Sequence, residues 1–142
     1  MYKTILVAID LNDEASCHKP LLSAVELARK FAARLHVLTV VREVEAILQA
    51  KTAALGYELI VADLENRIAE LIRRVNASDL DPGVLVAHGA SIYAEILGIA
   101  EEAGADLIVV GSHRPAMKDY LLGTNAGRVV RHARCSVLVA RE

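Results

Sequence analysis

Cysteine is scarce in this chain: Cys17 and Cys135 are the two among 142 residues, and they stand far apart. That excludes a disulfide framework and predicts reduced thiols in an intracellular setting. Cys17 stands near an expected helix start, where a thiol can be activated, although a small buried hydrophobe is the plainer role. Long uncharged runs are lacking too. Apolar residues make up 54% of the chain, enough for a sizeable core, yet charges recur before any stretch reaches the roughly 20 apolar residues of a membrane span. Met1-Tyr2-Lys3 leads straight into a strand-like run, which fits neither a signal peptide nor a transit peptide. The expectation is a soluble, cytoplasmic protein with no membrane partner. A strong charge of one sign is missing as well, and a net charge of −2 argues against nucleic acid as the general partner. The five histidines, His18, His36, His88, His113 and His132, show no ligand spacing, so no metal site made by the protein itself is expected.

What is present alternates. The length suits one domain, residues 1–142. Thr4 to Ile9 is an apolar run between Lys3 and Asp10, short enough for a strand buried on both faces. After a polar loop, Leu21, Val25, Ala28 and Ala32 mark a helical face with Leu22 and Phe31 beside it, and Pro20 suits the first turn. Leu35 to Val41 is a second strand. Residues 42–58 are undecided, helix-leaning but interrupted by Gly56-Tyr57, and Ile60 to Val75 then keep a 3.6-residue period. Val84 to Ala87 is a third strand, and Ser91 can cap a helix that buries Ile92, Ile96, Ile99 and Ala103 before a left-handed stop at Gly104.

The last third is the most informative. Leu107 to Val110 runs into Gly111, as a buried strand does where the backbone must turn or approach a ligand. Gly123-Thr124 precedes Ala126, Val129, Val130 and Ala133, a helical spacing for which Thr124 is a natural cap. Bare N–H groups at such a helix start, facing a glycine turn at a strand end, form a cradle suited to phosphate. Residues 111–142 carry six Lys or Arg against Asp119 and Glu142, whereas the rest has ten against sixteen. Arg114 and Lys118 are the better phosphate candidates; Arg128, Arg131 and Arg134 read as a solvated helix face. A final strand runs from Val137 to Ala140. Strands alternating with helices imply an α/β fold, an open parallel sheet with helices on both faces and its ligand site beyond the carboxyl ends of the strands.

Three further classes are disfavoured by missing residues. A response-regulator receiver needs aspartate after strand three and lysine after strand five, where His88-Gly89 and Arg141 stand. A flavodoxin needs a hydroxyl-rich first loop, and Asn12-Asp13-Glu14 would repel its phosphate. Gly111-Ser112-His113 lacks the second glycine of an esterase elbow.

Val7 to Asp10, Ala103 to His113, Leu121 to Asn125, Val129 to Ala133 and Cys135 to Val139 together resemble the universal stress protein family across the whole chain, most closely its enterobacterial F and G types. The resemblance implies a Rossmann-like (adenine nucleotide alpha-hydrolase-like) five-stranded sheet in the order 3-2-1-4-5. It also implies a homodimer and, as in many members, bound ATP, with or without Mg²⁺. In the family's ATP pattern, Gly111 and Gly123-Thr124 stand, while Arg114 replaces the middle glycine, the loop is one residue shorter, and Ala8 stands where proline is common. Carried over, Asp10 would lie near the nucleoside and Val40 or Val41 near the adenine. Gly111, His113 and Arg114 would line ribose and phosphates, and Gly123, Thr124 and Asn125 would donate to the phosphates. The bland alternatives are a turn cap for Asp10, core packing for Val40 and Val41, and a turn and cap for Gly123-Thr124. No convincing general base is present, so a regulatory ATP-binding protein of stress responses is expected, with slow hydrolysis or a dimer without nucleotide as alternatives. The dimer is expected to pair strand five, Val137 to Ala140, with its symmetry mate.

Overall fold

A computed structural model describes residues 1–42, 54–112 and 124–141. The chain runs β1 (Thr4–Ile9), α1 (His18–Phe31), β2 (Arg34–Arg42), α2 (Ala54–Arg74), β3 (Gly83–Gly89), α3 (Ile92–Ala103), β4 (Leu107–Gly111), α4 (Thr124–His132) and β5 (Ser136–Ala140). Short 3-10 turns lie at Glu14–Ser16 and Ser78–Leu80. All five strands are parallel in the order β3-β2-β1-β4-β5, as the family resemblance implies. The sheet winds outward from β1 in both directions, so the switch lies between β1 and β4.

Continuous apolar runs form the middle of the sheet because both of its faces are covered. Ile5, Val7 and Ile9 pack with Val37, Val109 and the faces of α1 and α2. Leu6 packs with Leu38, Ile108, Val110, Ile96 of α3 and Ala126 and Val129 of α4. Each wholly buried Leu or Ile stabilises by roughly 1.5–3 kcal/mol relative to exposure.

Helix ends follow local rules. α1 stops at Ala32 in the left-handed region (φ 53°), its N–H bonded to Ala28 and Arg29 carbonyls, so Ala32 ends the helix instead of joining its buried face. Pro20, Leu21, Ala24, Val25 and Ala28 make that face, whereas Leu22 is 37% exposed. α3 ends at Gly104 (φ 67°), the expected stop. Ser91 is its cap residue, but the side chain makes no capping bond; Ile96 and Ala100 are buried, whereas Ile92, Ile99 and Ala103 are only half-buried. α2 runs unbroken through Gly56 and Tyr57; the rest of the undecided stretch, 43–53, lies outside the described residues. α4 begins at Thr124 itself and buries Ala126 and Val129, leaving Val130 45% exposed. Among the described residues no helix is long and apolar enough to cross a membrane.

At the amino edge of the sheet, Asp106 binds the first strand. Its carboxylate accepts the N–H of Lys3 (2.9 and 3.2 Å) and of Thr4 (3.0 Å), while its own N–H donates to the Thr4 carbonyl (3.0 Å). Those donated N–H bonds hold the Asp106 carboxyl below the usual carboxylate range. On β2, the His36 ring lies over Gly83, where an added Cβ would fall 2.4 Å from Nδ1; glycine is what lets the two strands share that rung.

Candidate functional site

At the carboxyl edge a cavity of about 320 Å³ opens where β1 and β4 diverge, within the size range of small-molecule pockets. Strand ends and helix starts together supply it. Ala8 and Asp10 come from the end of β1, Val40 and Arg42 from β2, Val110 to Ser112 from β4, and Thr124 and Asn125 from the first turn of α4. Ile92 and Ile96 of α3 form its apolar wall.

Asp10 is exposed, and its side chain builds the turn after β1: Oδ1 accepts the Asn12 N–H at 2.9 Å. Its carbonyl accepts the Asp13 N–H and the Cys17 thiol, each at 3.1 Å. The bland role and a place at the cavity thus coincide in one residue. Arg67 of α2 holds the same turn from the other side, donating to the Leu11 carbonyl (2.7 Å) and to Glu14 (3.2 Å). Cys17 is 1% exposed, and burial first, then the Asp10 charge, pushes its thiol up to about 11. A raised thiol that donates to the Asp10 carbonyl fits the small buried hydrophobe and not an activated nucleophile.

The backbone of β2 contributes separately. Pairing of β1 with β2 ends at Ile9 and Thr39, and the Thr39 hydroxyl closes that rung onto the Ile9 carbonyl at 3.0 Å. Among the described residues β2 continues to Arg42 against β3 alone, so main-chain donors and acceptors beyond Thr39 face the hollow with no described strand beside them. Alternation places Val40 with Ala8 on the α3/α4 side. Val41 lines a second hollow of about 410 Å³ on the opposite side, under α2, with Leu11, Thr39 and Leu64. Val40 and Asp10 border both hollows.

Gly111 ends β4, and a Cβ there would sit 3.0 Å from Pro20 Cγ, so its missing side chain admits the first turn of α1. Thr124 is exposed and Asn125 half-buried in the first turn of α4, whose N–H groups have no helical partner. His113, Arg114 and Gly123 lie outside the described residues. Sequence reasoning misses Arg42 and Ser112; alternation is the signal that points to Arg42, two residues beyond Val40. Three of the basic side chains on and just after α4 are engaged away from the cavity. Arg128 sits 5.2 Å over the Tyr93 ring, Tyr93 stacks on His132, and Arg134 pairs with Glu101 at 3.1 Å.

This sheet order, with a ligand-sized cleft at its switch, defines a Rossmann-like α/β protein. The universal stress protein family model matches residues 1–141, and the chain belongs to that family. Universal stress protein G of Escherichia coli O157:H7 is 33% identical over 99% of this chain and 100% of its own. Among solved structures, universal stress protein UspA from Lactobacillus plantarum superimposes with a TM-score of 0.77 at 23% identity, covering 99% of this chain and 98% of that one. A universal stress protein in complex with cAMP gives 0.62 at 21% identity, with 99% and 97% covered. The universal stress protein from Archaeoglobus fulgidus in complex with dAMP gives 0.61 at 20%, with 98% of each covered.

Proposed function

We propose that this protein binds an adenine nucleotide, ATP, at the carboxyl edge of its sheet and acts as a cytoplasmic regulatory binder in stress responses. The observation that carries the reading is the cleft at the switch point, with a helix N-terminus at one end and an open strand edge at the other. Phosphates go to the α4 first turn, where Thr124 and Asn125 supply N–H groups without a partner inside the helix, which favour negative charge. The adenine goes to β2, where the main chain of Val40 and Val41 offers donors and acceptors, with Ala8 beneath it. The second oxygen of Asp10, which has no hydrogen bond among the described residues, faces the ribose hydroxyls. Gly111, His113, Arg114 and Gly123 complete the loop around ribose and phosphates. Relatives of the same fold solved with cAMP and with dAMP support an adenosine-phosphate ligand. Mg²⁺ accompanies the phosphates as their counter-ion.

Binding is favoured over catalysis because phosphoryl transfer needs a positioned base as well as a cradle. One oxygen of Asp10 is already engaged by the Asn12 N–H. Acid extraction of purified protein, with identification of any released nucleotide, tests the ligand. Incubation with ATP and Mg²⁺ tests the role: multiple turnovers per minute, abolished by Asp10→Asn, would defeat the binder reading.

The chain acts as a single domain and assembles as a homodimer. β5 is an edge strand with Val137, Leu138 and Val139 only half-buried, the kind of edge that proteins pair or cover. Antiparallel pairing of two such edges gives an isologous two-fold contact.

A further inference from the structure

Arg42 is the only positive side chain among the described residues lining the 320 Å³ cavity, which also holds the carboxylates of Asp10 and Asp13. Most other described arginines are engaged: Arg29 with Asp79, Arg67 with Glu14, Arg73 and Arg74 with Glu70, Arg128 with Tyr93, and Arg134 with Glu101. Arg42 has no ion pair, hydrogen bond or ring contact among the described residues. Its place in the fold is defined by alternation. Leu38 belongs to the core on the α3/α4 side and Val40 packs against it, so Arg42, last on the strand, projects on that same side above them.

Neighbouring strands lie about 4.8 Å apart, and an arginine side chain is long enough to cross one such spacing. From the tip of β2 the guanidinium reaches over the end of β1 into the cavity that Gly111, Ser112 and the first turn of α4 also line, where the helix start favours an anion. A planar guanidinium presents paired donors that match phosphate oxygens and keeps its charge at every physiological pH. Without that charge the Asp10 carboxylate would repel a polyphosphate. With it, the cleft carries one cation at the tip of β2 and the Asp10 carboxylate at the end of β1, so a bound molecule is oriented by charge as well as by shape.

We propose that Arg42 contacts the phosphate chain of the bound nucleotide and makes the cleft select phosphorylated over unphosphorylated ligands. The proposal rests on the nucleotide reading above and adds to it a residue from β2, across β1 from Gly111.

Titration calorimetry of the whole chain and its Arg42→Ala and Arg42→Lys variants with adenosine, AMP, ATP and inorganic tripolyphosphate tests it. Charge-assisted bonds to phosphate are strong enough that Arg42→Ala should weaken ATP and tripolyphosphate by about tenfold or more, with adenosine changed less than about twofold. Arg42→Lys should restore part of the loss, because the charge returns without the paired geometry. Thermal melts within about a degree of wild type are expected, since the side chain is exposed at a strand end. Equal losses for adenosine and ATP would overturn the proposal, as would an unchanged ATP affinity. Wild type that binds adenosine as well as ATP would overturn it while leaving the adenine reading intact. Arg42-dependent binding of tripolyphosphate without adenosine binding would support Arg42 and defeat the adenine reading. No binding of any of the four would overturn both.

Discussion

The two faces of the sheet are built differently. On the α1/α2 side, Ile5, Val7, Val37, Val109, Leu21, Val25 and Ile68 are wholly or nearly wholly buried, and the core continues to Ile9 and Leu11 at the carboxyl edge. On the α3/α4 side the fully buried set is smaller, and Ala8, Val40 and Ile92 stay half-buried around the cleft. The α1/α2 face commits more of its apolar surface to the fold, opening only at the hollow under α2. The other leaves part of it open at the switch point, so stability and ligand contact are carried by different residues of the same strands.

Matched truncations give the largest effect. Ile68→Ala should destabilise by about 2–5 kcal/mol in urea unfolding and leave nucleotide affinity unchanged under folding conditions. Ile96→Ala should fall near the low end of that range, because its side chain borders the cavity, and should weaken the nucleotide as well. Equal destabilisation with no loss of affinity would erase the distinction between the faces.

A second test lies where the faces meet. Gly111→Ala places a methyl 3.0 Å from Pro20 Cγ, and overpacking against a rigid ring should cost about 1–3 kcal/mol. Adding Pro20→Ala should give a double variant more stable than the sum of the two changes implies. Strict additivity would mean that the glycine is there for something other than Pro20.

Acid titration probes the opposite edge of the sheet. The Asp106 carboxyl is held low in the folded state, so its stabilisation is complete above the ordinary value of 3.8 and is lost as pH falls through its folded pKa. Asp106→Asn should therefore cost on the order of 1 kcal/mol at neutral pH, solvent screening keeping it small, and nothing in strong acid. The smallest effect is expected at His36. Burial, then the Arg34 charge, lowers its pKa from 6.5, so the folded state prefers the neutral ring and stability should drop as pH falls below about 6.5. His36→Gln should flatten that part of the pH profile. Assembly gives a separate reading: Val139→Pro should produce monomers by light scattering if the Val139 N–H lies on the pairing side, and a monomeric wild type at tens of micromolar would end the dimer proposal.

The strands are legible in the sequence because burial on both faces writes them as unbroken apolar runs; Lys3 and Asp10 delimit Thr4–Ile9 to the residue. Their spatial order is not written in any periodicity and comes from the family resemblance. Helix faces are less legible. Leu22 and Val130 keep helical spacing yet lie on the surface, since apolar residues at a flank satisfy the same pattern as those facing the sheet. Gly56 reads as a break and is not one, since a single glycine weakens a helix without ending it. At the site, Asp10 and Gly111 are visible because each closes an apolar run, whereas Arg42 is hidden because a charged residue at the tip of a strand reads as solvent-facing until its neighbours are known.

The contact from Asp106 to Lys3 and Thr4 spans 103 residues of sequence, and it bears on how the chain is made. β1 lies in the centre of the sheet, with one neighbour, β2, made soon after it and the other, β4, made about a hundred residues later. At ribosomal rates of about 5–20 residues per second, one flank of the most buried strand waits roughly 5–20 s for its partner. During that interval Ile5, Leu6 and Val7 present an unpaired, fully apolar edge to the cell. The nascent chain is thus most exposed to chaperone capture or aggregation through its first strand, and that hazard ends when Leu107 to Gly111 emerges and Asp106 closes over the start of the chain.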